Sequence, residues 1–429
     1  MADLGTVLFA LAACAQPDRV RFEPAVLAAL QPGQSLPADL DAVGGRGLRV
    51  VRRAELGDAP ANDVHLMLEH PSDPSRHASL LLRGGRLTGA IYLGAELRVA
   101  VSGVGAGLSL PRVEHGSRDL PCGLDLAARD ATPSEGGASG ACDSGVRADV
   151  LVLYTDAAIS QAGGETPLVD WINWAVADSN AIYASSGIDL SLRLAGTGHA
   201  AGYLEDAASM ANDLYALRDP VDGKLDQALP LRDATRADFV TLVRADGGGA
   251  CGIAWLLGTD PNDESYAYSV TALGCFTNRT FTHELGHNMG CCHAPGDGGG
   301  CTTGGVFPYS VGNRFTGAGG SQFRTVMAYA PGTRIPRFSS PTVLYDGVPT
   351  GLVDRDNASS IGITRFTFAS FRCESCVGDL NDDSMRDGAD LAALLGAWGA
   401  SSAAGDLTGD GNTDGADLAV MLGNWGVCP

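Results

Sequence analysis

The sequence predicts an α+β chain built around an α/β layer, with a β-rich region before that layer and a small helical module after it. Three observations carry this expectation. From Ala148 onward strand-like and helix-like runs alternate, the order that lays helices against a sheet. Before Ala148, short runs of alternating apolar residues are separated by glycines, as in short β-strands. After residue 376 a unit recurs at an offset of 27 residues, which is an internal duplication.

Composition narrows the class. A chain of 429 residues has room for two or three domains with a substantial core. A hydrophobic content of 45 % with 58 glycines describes a globular, loop-rich protein. The formal net charge is −21 and Lys224 is the only lysine, which argues against nucleic acid and anionic membrane surfaces as partners. Eight of the 11 cysteines follow residue 250, a usage that fits an oxidising compartment. Cys373-x-x-Cys376 stands alone, so the paired spacing of a zinc ribbon is missing.

Residues 1–15 read as a signal segment. Gly5 to Ala15 is apolar but far too short to span a bilayer, and Asp3 stands where a positive residue is usual. Leu11-Ala12-Ala13-Cys14 fits a bacterial lipobox, which would acylate Cys14 and tether the chain to a membrane as a cell-envelope lipoprotein. Ala13-Cys14-Ala15 equally fits a cleavage site that releases a secreted, extracellular chain. Residues 16–145 form the β-rich region. Asp63–Leu68 and Thr88–Leu93 alternate as strands, and Gly103, Gly105 and Gly107 read as a turn because no strand–helix context makes them a phosphate loop. The region ends in Ala131–Gly140, a flexible linker by composition.

The α/β layer occupies residues 146–372. Ala148–Thr155 is an apolar run of strand length. Thr166–Ser185 has helix-spaced Leu168, Ile172, Ala175 and Val176, with Pro167 at the first helical position. Ile188–Leu194 alternates as a strand. A helix near 205–218, a strand at 238–243 and a strand at Tyr266–Val270 follow, and Asp356–Arg372 reads as the closing helix.

Between those last two elements stands Thr282-His283-Glu284-Leu285-Gly286-His287-Asn288-Met289-Gly290-Cys291-Cys292-His293. On a helix His283 and His287 lie one turn apart on one face, so both rings reach one metal ion. Glu284 is rotated by about 100°, beside the metal rather than on it. A continuing helix would carry His293 roughly 9 Å beyond His287, against Zn–N bonds of about 2.0–2.1 Å. The helix therefore stops, and Gly290 is the residue able to take φ > 0 and turn the chain back. Three histidines with a fourth position left open is the ligand set of catalytic zinc. Cys291 and Cys292 are either further soft ligands or, for one of them, half of a staple to Cys301. The other five histidines, His65, His70, His77, His115 and His199, have no ligand spacing and read as solvated or hydrogen-bonded.

With Thr325-Val326-Met327-Ala328-Tyr329 downstream, this motif resembles the metzincin zinc peptidases, and Ala330–Pro341 is similar to bacterial reprolysin-like peptidases, which include a peptidyl-Asp-cleaving group. The resemblance covers roughly residues 146–372 and implies a metzincin-like catalytic domain. It makes Met327 the apolar floor under the metal, Glu284 the base that moves the water's proton, and Tyr329 a donor to the oxyanion. It further implies an edge strand that pairs with the substrate backbone, for which Tyr266–Val270 and Ile253–Leu256 are both candidates. The sequence departs from reprolysins after the third histidine, where Ala294-Pro295 replaces an aspartate. Residues 16–145 then correspond to a prosegment. Its Leu120-Pro121-Cys122-Gly123-Leu124-Asp125 is similar to the motif that places a thiolate on zinc and keeps such enzymes latent, although a Cys122–Cys142 disulfide accounts for Cys122 as well.

Residues 376–429 form the duplicated module. Asp379, Asn381, Asp383, Asp387 and Asp390 stand at positions 1, 3, 5, 9 and 12 of one loop, and Asp406, Thr408, Asp410, Asp414 and Asp417 at the same positions of the second. That is the EF-hand schedule for calcium, with Asp in place of Glu at position 12. Asp390–Gly396 and Asp417–Gly423 read as short helices whose leucines pack the halves together, with Cys376 and Cys428 placed to clasp the ends. The pattern resembles a type I dockerin, which implies a cohesin-like partner. Ser384 replaces the turn glycine of the first loop, and Gly388-Ala389 and Gly415-Ala416 stand where dockerins often carry Ser-Thr.

The expectation is a secreted zinc metalloendopeptidase with signal, prosegment, catalytic domain and calcium module, acting on protein or peptide substrates. Its rival is a non-proteolytic zinc- and calcium-binding surface adhesion or scaffold protein. The presence of Glu284 argues against that rival, because a mere metal holder needs no base there.

Overall fold

The structure is a computed structural model that describes residues 22–56, 63–95, 97–104, 107–109, 113–115, 146–207, 209–219, 221–245, 247, 249–257, 264–298, 301, 304–372, 378–381, 385–399, 405–408 and 412–427. The signal segment with Cys14, the Cys122 motif, Cys142, the 131–140 linker, Asp383, Ser384, Asp410 and Cys373, Cys376 and Cys428 lie outside the described residues. The chain divides into two compact units: Met1–Arg118 with Val169–Asp178, and Asp119–Leu168 with Ser179–Pro429.

The first unit holds a short helix α1 (Pro24–Ala28) and seven strands: β1 (Arg49–Glu55), β2 (Val64–His70), β3 (Asp73–Arg83), β4 (Arg86–Leu93), β5 (Leu97–Val104), β6 (Gly107–Ser109) and β7 (Val113–His115). From β1 to β6 consecutive strands pair antiparallel, and β7 pairs antiparallel with β5. Because side chains alternate along a strand, Leu66, Leu68, Leu80, Leu82, Ile91, Val99 and Val101 meet in one core with Leu27 and Leu40. Val104 pairs with Gly107, so of the glycines expected to form a turn Gly103 lies in β5 and Gly107 in β6, while Gly105 lies outside the described residues. Trp174 donates its indole N–H to the Ser79 carbonyl at 3.0 Å, and Asp170 pairs with Arg86. His65 bonds Ser79 Oγ at 2.9 Å and His77 stacks on Tyr92.

The second unit is built on β8 (Arg147–Thr155), β9 (Ser191–Ala200), β10 (Phe239–Arg244), β11 (Gly252–Ala254) and β12 (Tyr268–Ala272). Their order is β11-β12-β10-β8-β9, all parallel except β11, which runs antiparallel on the edge. β8 and β10 are buried almost end to end, which is why they read as continuous apolar runs rather than as alternating ones. Helices α2 (Asp156–Ala162), α3 (Glu165–Ser185), α4 (Met210–Arg218), α5 (Ala228–Thr235), α6 (Thr280–Asn288) and α7 (Asn357–Phe368) follow in chain order, the Val169–Asp178 stretch of α3 belonging to the first unit. Ile253 and Trp255 enter the same core as Leu214 and Ala216 of α4. Gly252, of opposite parity, faces Glu284 of α6. The edge of the sheet thus lies between α4 and α6.

Several expected boundaries move. α3 starts at Glu165, so Pro167 is its third residue rather than its first; the N–H it lacks would have had no helical acceptor in either place. The strand expected at Ile188–Leu194 is β9, displaced to Ser191–Ala200 because Gly187, at φ 73°, is still turning the chain. α4 begins only at Met210, and the closing helix is α7, capped by Asp356, whose side chain accepts from Ser359 N at 2.9 Å.

In the duplicated segment, α8 (Gly388–Gly396) and α9 (Gly415–Gly423) repeat one geometry, and Met385–Arg386 pairs antiparallel with Gly426–Val427. Leu394 and Met421, 27 residues apart, are the fully buried apolar side chains of the two helices, beside the equally buried Asp390 and Asp417.

Candidate active site

α6 brings the first two histidines together and then ends, as a third ligand requires. Gly290 takes φ 90°, and a Cβ there would lie 2.7 Å from Val306 Cβ, so the turn has both a backbone and a steric reason for glycine. Beyond it Cys292 exchanges backbone bonds with Ser310 and Gly312 at 2.7 and 3.0 Å. A disulfide joins Cys292 to Cys301, and His293 N donates to the Cys301 carbonyl at 2.8 Å. The staple to Cys301 is thus made by Cys292. Cys291 is a buried free thiol whose Sγ lies 3.8 Å from the Asn357 carbonyl, and burial raises its pKa.

The three imidazoles converge. His293 Nε2 lies 3.2 Å from His283 Nε2 and 3.0 Å from His287 Nε2, and all three rings are buried. Every other ring nitrogen meets a main-chain carbonyl: His283 Nδ1 at Val326 O (2.9 Å), His287 Nδ1 at Cys291 O (2.7 Å) and His293 Nδ1 at Gly298 O (3.1 Å). A carbonyl only accepts, so each Nδ1 carries the proton and each Nε2 lone pair faces the common centre. Burial holds His283 well below the usual histidine pKa, and His287, His293 and Arg334 add to the effect. Burial, with His287 and Arg334, brings His293 to about 2. Neutral rings with oriented second nitrogens are what zinc ligation requires. Tetrahedral bonds of about 2.05 Å put ligand nitrogens roughly 3.3 Å apart, close to the spacing here. The residues present fit zinc.

Glu284 is buried beside the cluster, and the edge strand makes room for it: a Cβ on Gly252 would sit 2.6 Å from Glu284 Cδ. Met327 is fully buried, and a Cβ on Gly286 would lie 2.6 Å from its sulfur, so glycine at this position of α6 lets the methionine pack against the helix. Tyr329 Oη lies 3.2 Å from His293 Nε2.

Of the two candidate edge strands, β11 is the edge and Tyr268–Ala272 is interior. Sequence reasoning missed three residues that hold this arrangement. Asn288 Nδ2 donates to the carbonyls of Trp255 (2.9 Å), Tyr266 (2.7 Å) and Tyr268 (3.0 Å), tying α6 to the edge strand. Asp297 accepts from Ala294 N (3.2 Å) and Tyr329 N (2.9 Å) and pairs with Arg314, which also donates to the Tyr329 carbonyl at 3.3 Å. A carboxylate thus serves the third-histidine loop from three residues after Ala294, a signal that position-by-position motif matching passes over. Gly252 is the third, and nothing local marks it.

In the duplicated segment Asp390 Oδ1 accepts from Leu380 N (2.7 Å) and Asn381 N (3.2 Å), and Asp417 Oδ1 from Leu407 N (2.8 Å) and Thr408 N (2.9 Å). Asp387 and Asp414 cap α8 and α9 in matching capping boxes. These N–H donors, first among them Asp414 N, hold the Asp417 carboxyl below the usual range. Among the described residues the histidine trio is the cluster with metal-ligand spacing, and the acidic residues of the two loops do not form one.

Residues 146–339 match the model of metallo-peptidase family M12. The chain is 32 % identical over 228 residues to a peptidyl-Asp metalloendopeptidase of Stenotrophomonas maltophilia (strain R551-3), covering 52 % of each protein. It is 34 % identical over 161 residues to a peptidyl-Asp metalloendopeptidase of Pseudomonas aeruginosa, covering 34 % of this chain and 25 % of the relative. The chain therefore spans about half the length, or less, of these relatives. Among solved structures, metalloproteinase-II from Bacteroides fragilis superposes with a TM-score of 0.31 at 13 % identity, covering 56 % of this chain and 77 % of that one.

Proposed function

We propose, from the match of residues 146–339 to the model of metallo-peptidase family M12 and the likeness to peptidyl-Asp metalloendopeptidases, that this chain is a secreted zinc metalloendopeptidase with a reprolysin-like metzincin domain. The observation that carries the reading is the convergence of three Nε2 atoms, each fixed by a carbonyl on Nδ1, beside a buried glutamate. His283, His287 and His293 would hold the zinc. Bound there, zinc supplies Lewis acidity to a scissile carbonyl and lowers the pKa of water.

The chain's own groups do the rest. A peptide lies along the outer edge of β11, where main-chain pairing fixes its register. Glu284 takes the proton from the attacking water and passes it to the departing amine, so one carboxyl serves as base and then acid. The Tyr329 hydroxyl, held over His293 by the Asp297–Arg314 clamp on its backbone, donates to the oxygen on which charge develops. The names of the relatives make bonds at Asp residues the first substrates to try.

The domain scheme belongs to the same reading: signal 1–15, prosegment 16–145, catalytic domain 146–372 and calcium module 376–429. In the module, Asp379, Asn381, Asp383, Asp387 and Asp390, and Asp406, Thr408, Asp410, Asp414 and Asp417, are the calcium ligands. Calcium would draw carboxylates away from helix capping and into the loops. Leu395, Trp398, Leu422 and Trp425 are about half exposed and repeat at the offset of 27, which supports a partner-binding face there. Such a face would serve a cohesin-like protein.

The deciding experiment incubates the zinc-loaded chain with a mixed peptide library and reads the cut sites. The expected result is internal cleavage that the Glu284→Gln chain performs about 10²–10⁴-fold more slowly while keeping its zinc. A Glu284→Gln chain cutting at the parental rate would remove Glu284 from the mechanism. No cutting by the parental chain would favour the adhesion reading.

A further inference from the structure

We propose that Arg218 is a specificity-determining residue that reads an acidic side chain on a peptide docked along β11, a proposal that rests on the endopeptidase reading above. Arg218 is the last residue of α4. Its guanidinium carbon lies over the Trp255 ring, 4.1 Å from the centroid, and 5.9 Å from that of Tyr215. Tyr215 and Trp255 meet edge to face at 5.4 Å, so the cation rests on a built aromatic corner.

The charge of this group is unusual in its setting. The chain carries a net charge of −21, and Arg244, Arg314 and Arg372 each sit against a carboxylate. Among the described residues Arg218 has no carboxylate within ion-pair distance; its contacts are the two rings. A guanidinium laid over an aromatic face keeps its N–H donors around its rim, in the fork that matches a carboxylate.

Strand geometry brings a substrate side chain to this corner. Ala272 N donates to the Cys251 carbonyl at 2.9 Å and Trp255 N to the Tyr268 carbonyl at 3.2 Å. The main-chain groups of residues 251, 253 and 255 therefore point at β12, and those of Gly252 and Ala254 point outward to the free edge. Side chains alternate in the other sense: Gly252 faces Glu284, while Ile253 and Trp255 face α4. Residues directly across a ladder share a face. The peptide residue opposite Trp255 therefore puts its side chain on the α4 face, beneath Arg218. Trp255 is three residues from Gly252, roughly 10 Å along the strand. The acidic residue thus lies some two to four positions from the cut bond, roughly by that spacing, and is distinct from any residue recognised at the bond itself.

The test is position-resolved cleavage of a peptide library by the full zinc-loaded chain, with a parallel binding arm. The parental chain should enrich Asp and Glu at one position in that window, and the enrichment should shrink as salt approaches about 1 M. Arg218→Gln should lower kcat/KM on an acidic peptide about 10- to 100-fold, the range expected for a lost charged hydrogen bond. It should leave a matched neutral peptide nearly unchanged. Arg218→Glu should turn the preference at that position toward Lys and Arg, which a merely structural role would not do. The binding arm follows Trp fluorescence of the Glu284→Gln chain with the acidic and neutral peptides, so it reads Arg218 whether or not any bond is cut. Selective binding of the acidic peptide without cleavage by the parental chain would keep this inference and overturn the peptidase reading. Absence of acidic enrichment in both arms, or enrichment unchanged in Arg218→Gln, overturns the inference. Should Arg218→Gln fail to fold, salt-independent enrichment in the parental chain overturns it equally.

Discussion

Glu284 shows how much a single position here depends on its neighbour in space. Its carboxylate occupies the volume that a side chain on Gly252 would take. Gly252→Ala must push either the glutamate or the edge strand aside, and a shift of about 1 Å at a reacting group costs on the order of 10²-fold. We expect Gly252→Ala to bind zinc like the parental chain, by metal analysis, while kcat falls by about that factor. Unchanged kcat would mean that Glu284 has slack to give. The histidines show the opposite dependence. The spacing of His283 and His287 along one helical turn is local, and so are two of the three carbonyls that fix the second nitrogens, Cys291 O and Gly298 O, while Val326 O alone comes from a distant stretch of chain.

At the scale of elements, the site is a joint between helix α6 and strand β11, and Asn288 is the pin. It serves carbonyls of Trp255, Tyr266 and Tyr268 from one amide. Asn288→Ala leaves buried acceptors without that donor, a loss of about 1–3 kcal/mol. Because the carbonyls belong to the edge strand proposed to take the peptide and to its neighbour, KM should rise more than kcat falls. A pure kcat defect with normal KM would place Asn288 in the chemistry instead. The two loops of the C-terminal segment form a second pair of joined elements. Asp387, Asp390, Asp414 and Asp417 serve in helix capping boxes in the structure and as calcium ligands in the proposal. Adding calcium to the chelator-treated full chain should therefore change helix content by circular dichroism and leave zinc content unchanged. No spectral response would mean that the duplication exists for capping alone.

At the scale of the whole molecule, the proposal to test is latency through Cys122. If Cys122 supplies a thiolate to the open zinc position, the unprocessed Cys122→Ala chain should cut peptides at once while the unprocessed parental chain does not. An equally latent variant would leave the Cys122–Cys142 disulfide as the account of that cysteine. The acidity of the chain, at −21, sets its behaviour elsewhere. In such a field a cation without a carboxylate partner among the described residues, as Arg218 is, favours an acidic peptide under the proposal above.

By itself the sequence determined what is local or periodic. The three histidines, the glutamate, the helix-ending Gly290 and the 27-residue duplication all follow from spacing, because helical pitch and turn stereochemistry act over a few residues. The alternating order of strands and helices was legible for the same reason. Tertiary structure alone decided what depends on pairing between distant segments. Tyr266–Val270 and Ile253–Leu256 read alike as short apolar strands, and which became the edge was settled by the ladder among β11, β12 and β10. Cys292 rather than Cys291 reached Cys301, and Cys251 met Cys275, because chain direction after Gly290 and around β11 aimed those thiols. Asp297 found Tyr329, and Arg218 found Trp255, at sequence separations of 32 and 37. No propensity or periodicity extends that far, so such contacts exist only once the sheet has assembled.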